Sequence, residues 1–132
     1  LNLWALDGSP TLLGVFAQRL PSVPVRCERV QDSTFFERRF DAIVAIGLVF
    51  LLPEPDQLAL VARVAQALRP GGRFLFTAPT EVGEWTDLNT GQACLSLGQA
   101  RYEACMHTHG LRVHATFTDQ GGNHHFDAVL AG

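Results

Sequence analysis

Residues 67–79 read Ala67-Leu68-Arg69-Pro70-Gly71-Gly72-Arg73-Phe74-Leu75-Phe76-Thr77-Ala78-Pro79. Leu68 closes an amphipathic run, Pro70 cannot continue a helix, and Gly71 and Gly72 can take the positive φ that a sharp reversal needs. Phe74, Leu75 and Phe76 then form a short apolar run of the kind that a strand covered on both faces requires. A helix end, a turn and a buried strand in succession are the connection of an α/β sheet.

The sequence on either side repeats that grammar. Residues 56–68 place Leu58, Val61, Ala65 and Leu68 on one helical face. Residues 40–46, Phe-Asp-Ala-Ile-Val-Ala-Ile, are apolar and rich in β-branched side chains, which predicts a central strand ended by Gly47. Residues 1–6 predict a short buried strand broken by Asp7-Gly8-Ser9-Pro10. Ser9 is then placed to cap a helix, with Pro10 at its first position and Leu12, Leu13, Phe16, Ala17 and Leu20 at helical spacing. Residues 25–30 alternate as a strand nearer an edge, and 33–39 predict a short helical or irregular link. Downstream, 80–90 predict a loop carrying Glu81, Glu84, Trp85 and Asp87, and 97–109 a helix ended by Gly110. Residues 111–118 and 124–130 predict strands paired antiparallel through the Gly121-Gly122 turn.

Composition narrows the function classes. A chain of 132 residues, 47% hydrophobic and 17% charged, fits a single domain spanning 1–132. A net charge of −3 without a basic stripe argues against a nucleic-acid surface. The longest apolar run, residues 42–52, falls short of the roughly 18 to 20 residues a membrane span needs. Cys27, Cys94 and Cys105 are odd in number and widely spaced, neither a disulfide framework nor a zinc pattern, which suits a reducing, cytoplasmic setting. Cys105, His107 and His109 are two apart on a helix and diverge, so no metal is expected there.

The order β-α-β-(α)-β-α-β-α-β-β, closed by an antiparallel hairpin, resembles the class I S-adenosylmethionine-dependent methyltransferases. Trp4-Ala5-Leu6-Asp7-Gly8-Ser9 resembles that family's second strand with its acidic end. Phe40-Asp41-Ala42-Ile43-Val44 is similar to the start of its fourth strand, and residues 47–52 to the loop that follows. Leu68-Arg69-Pro70-Gly71-Gly72-Arg73-Phe74 resembles its turn before strand five, and these matches together span nearly all of the chain. The resemblance implies a Rossmann-like three-layer α/β/α sandwich, mostly parallel, with a C-terminal antiparallel hairpin. It also exposes a departure. The family's first strand, Gly-rich loop and first helix would fall before Leu1, so the chain is expected to be an N-terminally truncated form. Two strand edges would then be open in the sheet, leaving three outcomes: closure on each other, filling by another chain such as a second copy in a homodimer, or low stability.

The implied cofactor is S-adenosyl-L-methionine and the implied partner a small-molecule methyl acceptor, with no nucleic acid or membrane. Asp7, at the carboxyl end of its strand, would accept hydrogen bonds from both ribose hydroxyls, with Gly8 and Ser9 lining the site mainly through backbone; the alternative is a plain Asp-Gly turn. The family's usual adenine-reading acid falls on Arg29, which cannot accept that bond, so its neighbours Gln31 and Asp32 are the candidates. Asp32 equally suits a helix cap. Ile46 and Gly47 would approach the methionine portion. Phe50, Trp85 and Asp87 are candidates for the acceptor, and His124 or His125 for a base, only one of which can face any given site because adjacent strand residues point oppositely. Two further readings stay open. One is a noncatalytic fragment or interaction module, favoured by the missing Gly-rich loop. The other is an NAD-binding Rossmann oxidoreductase, since an acid after strand two also suits that cofactor's ribose.

Overall fold

The computed structural model describes residues 2–132; Leu1, where the first predicted strand begins, lies outside the described residues. The chain divides into two compact units, Leu1–Glu37 and Arg38–Gly132.

In the first unit, β1 (Ala5–Asp7), α1 (Pro10–Arg19) and β2 (Val25–Cys27) form a β-α-β element whose strands pair in parallel, Ala5 opposite Val25 and Asp7 opposite Cys27. The Ser9 hydroxyl accepts the Leu12 N–H at 3.2 Å and Pro10 opens the helix, as the sequence predicts. Both strands are shorter than predicted. Beyond Cys27 the chain curls into a 3-10 turn at Val30–Asp32. Local side chains favour that curl: Arg29 holds Asp32, and the Ser33 hydroxyl donates to Glu28 Oε1 at 2.7 Å. A second 3-10 turn, Phe35–Glu37, has φ of 50, 59 and 55° at its three residues. Left-handed backbone costs roughly 1–2 kcal/mol per residue. The Phe36 ring offsets part of this, packing edge-on to Trp4 at 5.1 Å with the Arg26 guanidinium 4.7 Å from its centre.

The second unit contains β3 (Phe40–Ala45), α2 (Glu54–Ala67), β4 (Leu68–Thr77), β5 (Val82–Thr86), β6 (Ala93–Leu97), α3 (Gln99–Thr108), β7 (Leu111–Thr118) and β8 (His124–Leu130). Its main sheet has the order β3-β4-β8-β7. β3 and β4 are parallel, while β8 runs antiparallel to both β4 and β7, so three strands share one direction and only β8 opposes them. The predicted C-terminal hairpin forms, with its second strand inserted inside the sheet rather than on the rim. Phe126 and Ala128 are accordingly fully buried.

The turn at residues 69–72 loops out of the ladder, since Leu68 pairs with Phe40 and Arg73 with Ala42. Gly71 has φ +80°, and a Cβ on Gly72 would lie 2.8 Å from the Arg69 carbonyl oxygen and 3.1 Å from that of Asp41. Arg69 also bonds Asp41 at 2.9 Å, so the turn is fastened to the start of β3. The residues after it form the core. Phe74, Phe76 and Phe126 stack in series at 4.8 and 5.1 Å, with Tyr102 of α3 edge-on to Phe76 and Phe126.

One buried polar network ties the remaining elements to this core. Gln57 of α2 is fully buried; its amide donates to the carbonyls of Leu52 and Leu95, and its Oε1 accepts the Tyr102 hydroxyl at 2.7 Å. The Tyr102 oxygen in turn accepts the Leu97 N–H at 3.1 Å. Burial pushes the Tyr102 hydroxyl above its ordinary pKa, keeping it a neutral donor.

Residues 80–90, predicted as a loop, contain β5, which pairs antiparallel with β6 from Trp85 opposite Cys94 to Val82 opposite Leu97. The strand escapes pattern reading because both its faces are largely solvated and alternation is absent. The following helix starts at Gln99, two residues later than predicted.

Two stability changes are expected in urea denaturation. Gly72→Ala should cost about 2 kcal/mol, because backbone oxygens rather than a movable side chain occupy the Cβ position. Tyr102→Phe should cost about 1–3 kcal/mol, leaving the Gln57 oxygen and the Leu97 N–H buried without partners.

Candidate functional site

In the first unit the candidate residues gather at the carboxyl ends of β1 and β2. Asp7 ends β1, and its carbonyl accepts the Glu28 N–H just beyond β2 at 3.1 Å. Its carboxylate curls over the turn: Oδ1 accepts the Ser9 N–H at 2.8 Å, while Oδ2 has no hydrogen-bond partner among the described residues. Gly8 is open, the nearest atom to an added Cβ being the Glu28 carbonyl at 4.0 Å. The Ser9 hydroxyl is committed to the helix cap, and its carbonyl accepts the Leu13 N–H at 3.1 Å. Gln31 and Asp32 occupy the 3-10 turn after β2. Asp32 is bound in a forked pair by Arg29, at 2.9 and 3.3 Å, so any adenine amino group would share that carboxylate with a guanidinium.

In the second unit the candidates lie around the carboxyl ends of β3 and β4. Ile46 follows β3 and is 58% exposed; Gly47 has φ +66° with no atom within 4 Å of an added Cβ, leaving backbone that a ligand can approach closely. Phe50 sits on the 3-10 turn Val49–Leu51, its ring 5.6 Å from that of Trp85 on β5. The structure thus brings these two acceptor candidates together. Asp87 plays another part: its Oδ1 accepts the N–H groups of Asn89 and Thr90, organising the β5–β6 turn.

The two histidines open β8, and the antiparallel direction of that strand sets them beside the carboxyl end of β4, where Ala78 N–H donates to the His124 carbonyl at 3.1 Å. They point to opposite faces, as the strand period requires. His125 is buried, with Nδ1 at 3.1 Å from Thr77 Oγ1 and Nε2 at 2.8 Å from Asp119 Oδ2. His124 has Nδ1 3.1 Å from Thr118 Oγ1, stands edge-on to Phe126 at 5.0 Å, and has a buried Nε2 without a hydrogen-bond partner among the described residues.

Sequence reading did not single out Thr77, Thr118 or Asp119. Thr77 and Thr118 become visible only through strand register. Asp119 had a signal, since Asp before Gly-Gly-Asn is turn chemistry: its Oδ1 accepts N–H groups of Gly121 and Asn123. With those bonds, and above all the one from His125, its carboxyl is held below the ordinary Asp value. Arg73 does the same for Asp127 through a fork spanning β4 and β8. Among the described residues, no cluster of three or more His, Cys, Asp or Glu side chains could hold a metal ion, and no helix is long and apolar enough to cross a membrane.

Sheet order, a lone antiparallel strand and acidic β1 terminus define an α/β fold of the Rossmann-like type, and comparison with known proteins supplies the family. A family model described as a methyltransferase domain matches residues 1–72, running across the boundary between the two units. The chain belongs to this methyltransferase family. Among solved structures it is similar to an S-adenosylmethionine-dependent methyltransferase from Clostridium acetobutylicum ATCC 824, with a TM-score of 0.79 and 13% identity over 100% of this chain and 76% of that one. It is similar to the glycopeptide N-methyltransferase MtfA complexed with S-adenosyl-L-homocysteine, with a TM-score of 0.75 and 19% identity over 98% and 73% of the two chains. A third is the Burkholderia thailandensis 1,6-didemethyltoxoflavin-N1-methyltransferase, with bound 1,6-didemethyltoxoflavin and S-adenosylhomocysteine. There the TM-score is 0.76 and the identity 16%, over 99% of this chain and 62% of that one. No curated protein matches the sequence.

The Asp119 clasp has a pH signature. A carboxylate depressed in the folded state adds stability above its ordinary value of 3.8, and that stability is lost as pH falls through the lower folded value. Asp119→Asn should therefore lower the urea midpoint at pH 7. The deficit should shrink progressively below about pH 4, where wild-type Asp119 also becomes neutral.

Proposed function

We propose that this chain, as one methyltransferase domain over 1–132, serves S-adenosylmethionine-dependent methyl transfer to a small-molecule acceptor. Family membership supports the reaction class, and the solved structures that it resembles include complexes with S-adenosylmethionine or S-adenosylhomocysteine. The observation that carries the cofactor reading is Asp7. A carboxylate at the carboxyl end of a parallel strand, with Oδ2 unpaired and the adjoining Gly8 open, fits a pair of vicinal hydroxyls.

When bound, S-adenosylmethionine supplies an electrophilic methyl group on a sulfonium. In the first unit, Asp7 would hold the ribose, the backbone of Gly8 and Ser9 would line it, and Gln31 and Asp32 would read the adenine. In the second unit, Ile46 and Gly47 would meet the methionine portion, where only a residue without a side chain leaves room for backbone contact. The paired rings of Phe50 and Trp85 offer an apolar wall that orients an acceptor and excludes water, which is most of what an in-line displacement needs. Asp87 enters through the turn it holds rather than by direct contact.

Calorimetric titration with S-adenosylhomocysteine, and separately with NAD, tests this. Saturable binding of S-adenosylhomocysteine is expected, weakened at least about tenfold by Asp7→Asn. Binding of NAD alone, or an affinity for S-adenosylhomocysteine indifferent to Asp7→Asn, would refute the assignment.

A further inference from the structure

The adjacent histidines that open β8 have opposite fates, and the difference assigns them different work. His125 has both ring nitrogens paired. An ionised Asp119 can only accept, so Nε2 of His125 carries hydrogen, and in the neutral ring Nδ1 accepts from the Thr77 hydroxyl. Phe117 covers the same ring at 5.0 Å. Nothing is left on His125 to offer a substrate; it clasps the β7–β8 turn to β4.

His124 has one nitrogen to spare. A buried Nε2 with no partner is destabilising in either tautomer. An orphaned N–H donor is the rarer defect, so the favoured arrangement puts hydrogen on Nδ1, donating to Thr118 Oγ1, and leaves a lone pair on Nε2. The ring cannot turn freely, since Thr118 holds one edge and Phe126 abuts it. Its place in the sheet is equally specific. β8 opposes β4, so His124 lies at the edge where the parallel strands β3 and β4 end, the edge outside which ligands of open α/β sheets bind. Gly47 follows the end of β3 and Ala78 the end of β4. Two strand spacings, about 10 Å, separate the β3 end from the β8 start. His124 and Gly47 therefore stand at the same end of the sheet.

We propose that His124 is the base of this site, taking a proton at Nε2 from an acceptor that attacks through an amine or hydroxyl group; this rests on the methyl-transfer reading above. The acceptor N–H or O–H proton passes to Nε2. A lone pair already on that nitrogen or oxygen forms the bond to the methyl carbon, the N–H or O–H bonding pair stays behind as the proton leaves, and the carbon–sulfur bonding pair returns to sulfur. The acceptor class is therefore a protic nitrogen or oxygen nucleophile.

The test has two arms. Imidazole 15N spectra of the whole chain are expected to show His124 protonated on Nδ1 with a bare Nε2, and His125 protonated on Nε2. A His124 Nε2 that carries hydrogen or is bonded within the chain overturns the proposal, whether or not cofactor binds. In the second arm, turnover is read as S-adenosylhomocysteine release with a panel of primary amines, secondary amines and alcohols. His124→Gln should lower kcat by about 100-fold or more while leaving S-adenosylhomocysteine affinity within about twofold. His124→Ala should regain turnover on addition of free imidazole. Unchanged kcat in His124→Gln overturns the proposal. Loss of S-adenosylhomocysteine binding in the wild type, with a bare Nε2 retained, overturns instead the cofactor reading on which it stands.

Discussion

A single buried amide holds the second unit of this protein together. Gln57 projects from α2 into the core, where no water can serve it, and it must find protein partners for both ends of its side chain. It does so by linking the loop before α2, the strand β6 and, through Tyr102, helix α3. Every member of the network is satisfied, and a satisfied buried network rigidifies where a half-satisfied one destabilises. In the β5–β6 hairpin β5 is largely solvated, while β6 buries Cys94 and Leu97 and is tied to α2 through the Gln57 bond to Leu95. The Trp85 ring consequently meets Phe50 at a fixed place.

The parts of this architecture legible in the sequence are those governed by local chemistry. Ser9-Pro10 announces a capped helix, Pro70-Gly71-Gly72 a reversal, and Phe74-Leu75-Phe76 a buried strand, because each depends on backbone freedom or solvation within a few residues. Gly72 adds a constraint that turn chemistry alone does not reveal: the reversal is tight because β3 runs against it, with the Asp41 carbonyl at the glycine's open side. The β5–β6 hairpin was illegible for the opposite reason. β5 is solvated on both faces, so no alternation marks it, and its place is set by pairing with β6. The candidate site was half legible. Asp7 and Gly47 occupy strand ends that the pattern foretells, but the partners of the histidines depend on register, and Asp87 turned out to be committed to its own turn.

Charge is used sparingly and with clear direction. The forked Arg73–Asp127 pair crosses from β4 to β8, and the Asp119–His125 contact ties the turn between β7 and β8 to the same pair of strands. Both sit at the joints of the one antiparallel strand. Exposed pairs such as Arg29–Asp32 contribute about 0–1 kcal/mol, whereas charged groups placed across a strand boundary penalise a shifted register as well.

The insertion of β8 between β4 and β7 also sets the order in which this sheet can be completed. Arg73 and its partner Asp127 lie 54 positions apart, and β4 meets no neighbour on that side until β8 has been made. During synthesis the aromatic face of β4 therefore waits half-covered while β5, β6, α3 and β7 are made. A long-range closure of this kind is slow and leaves a sticky edge in the interval. Loss of β8 would therefore remove an inner strand of the sheet rather than trim its border.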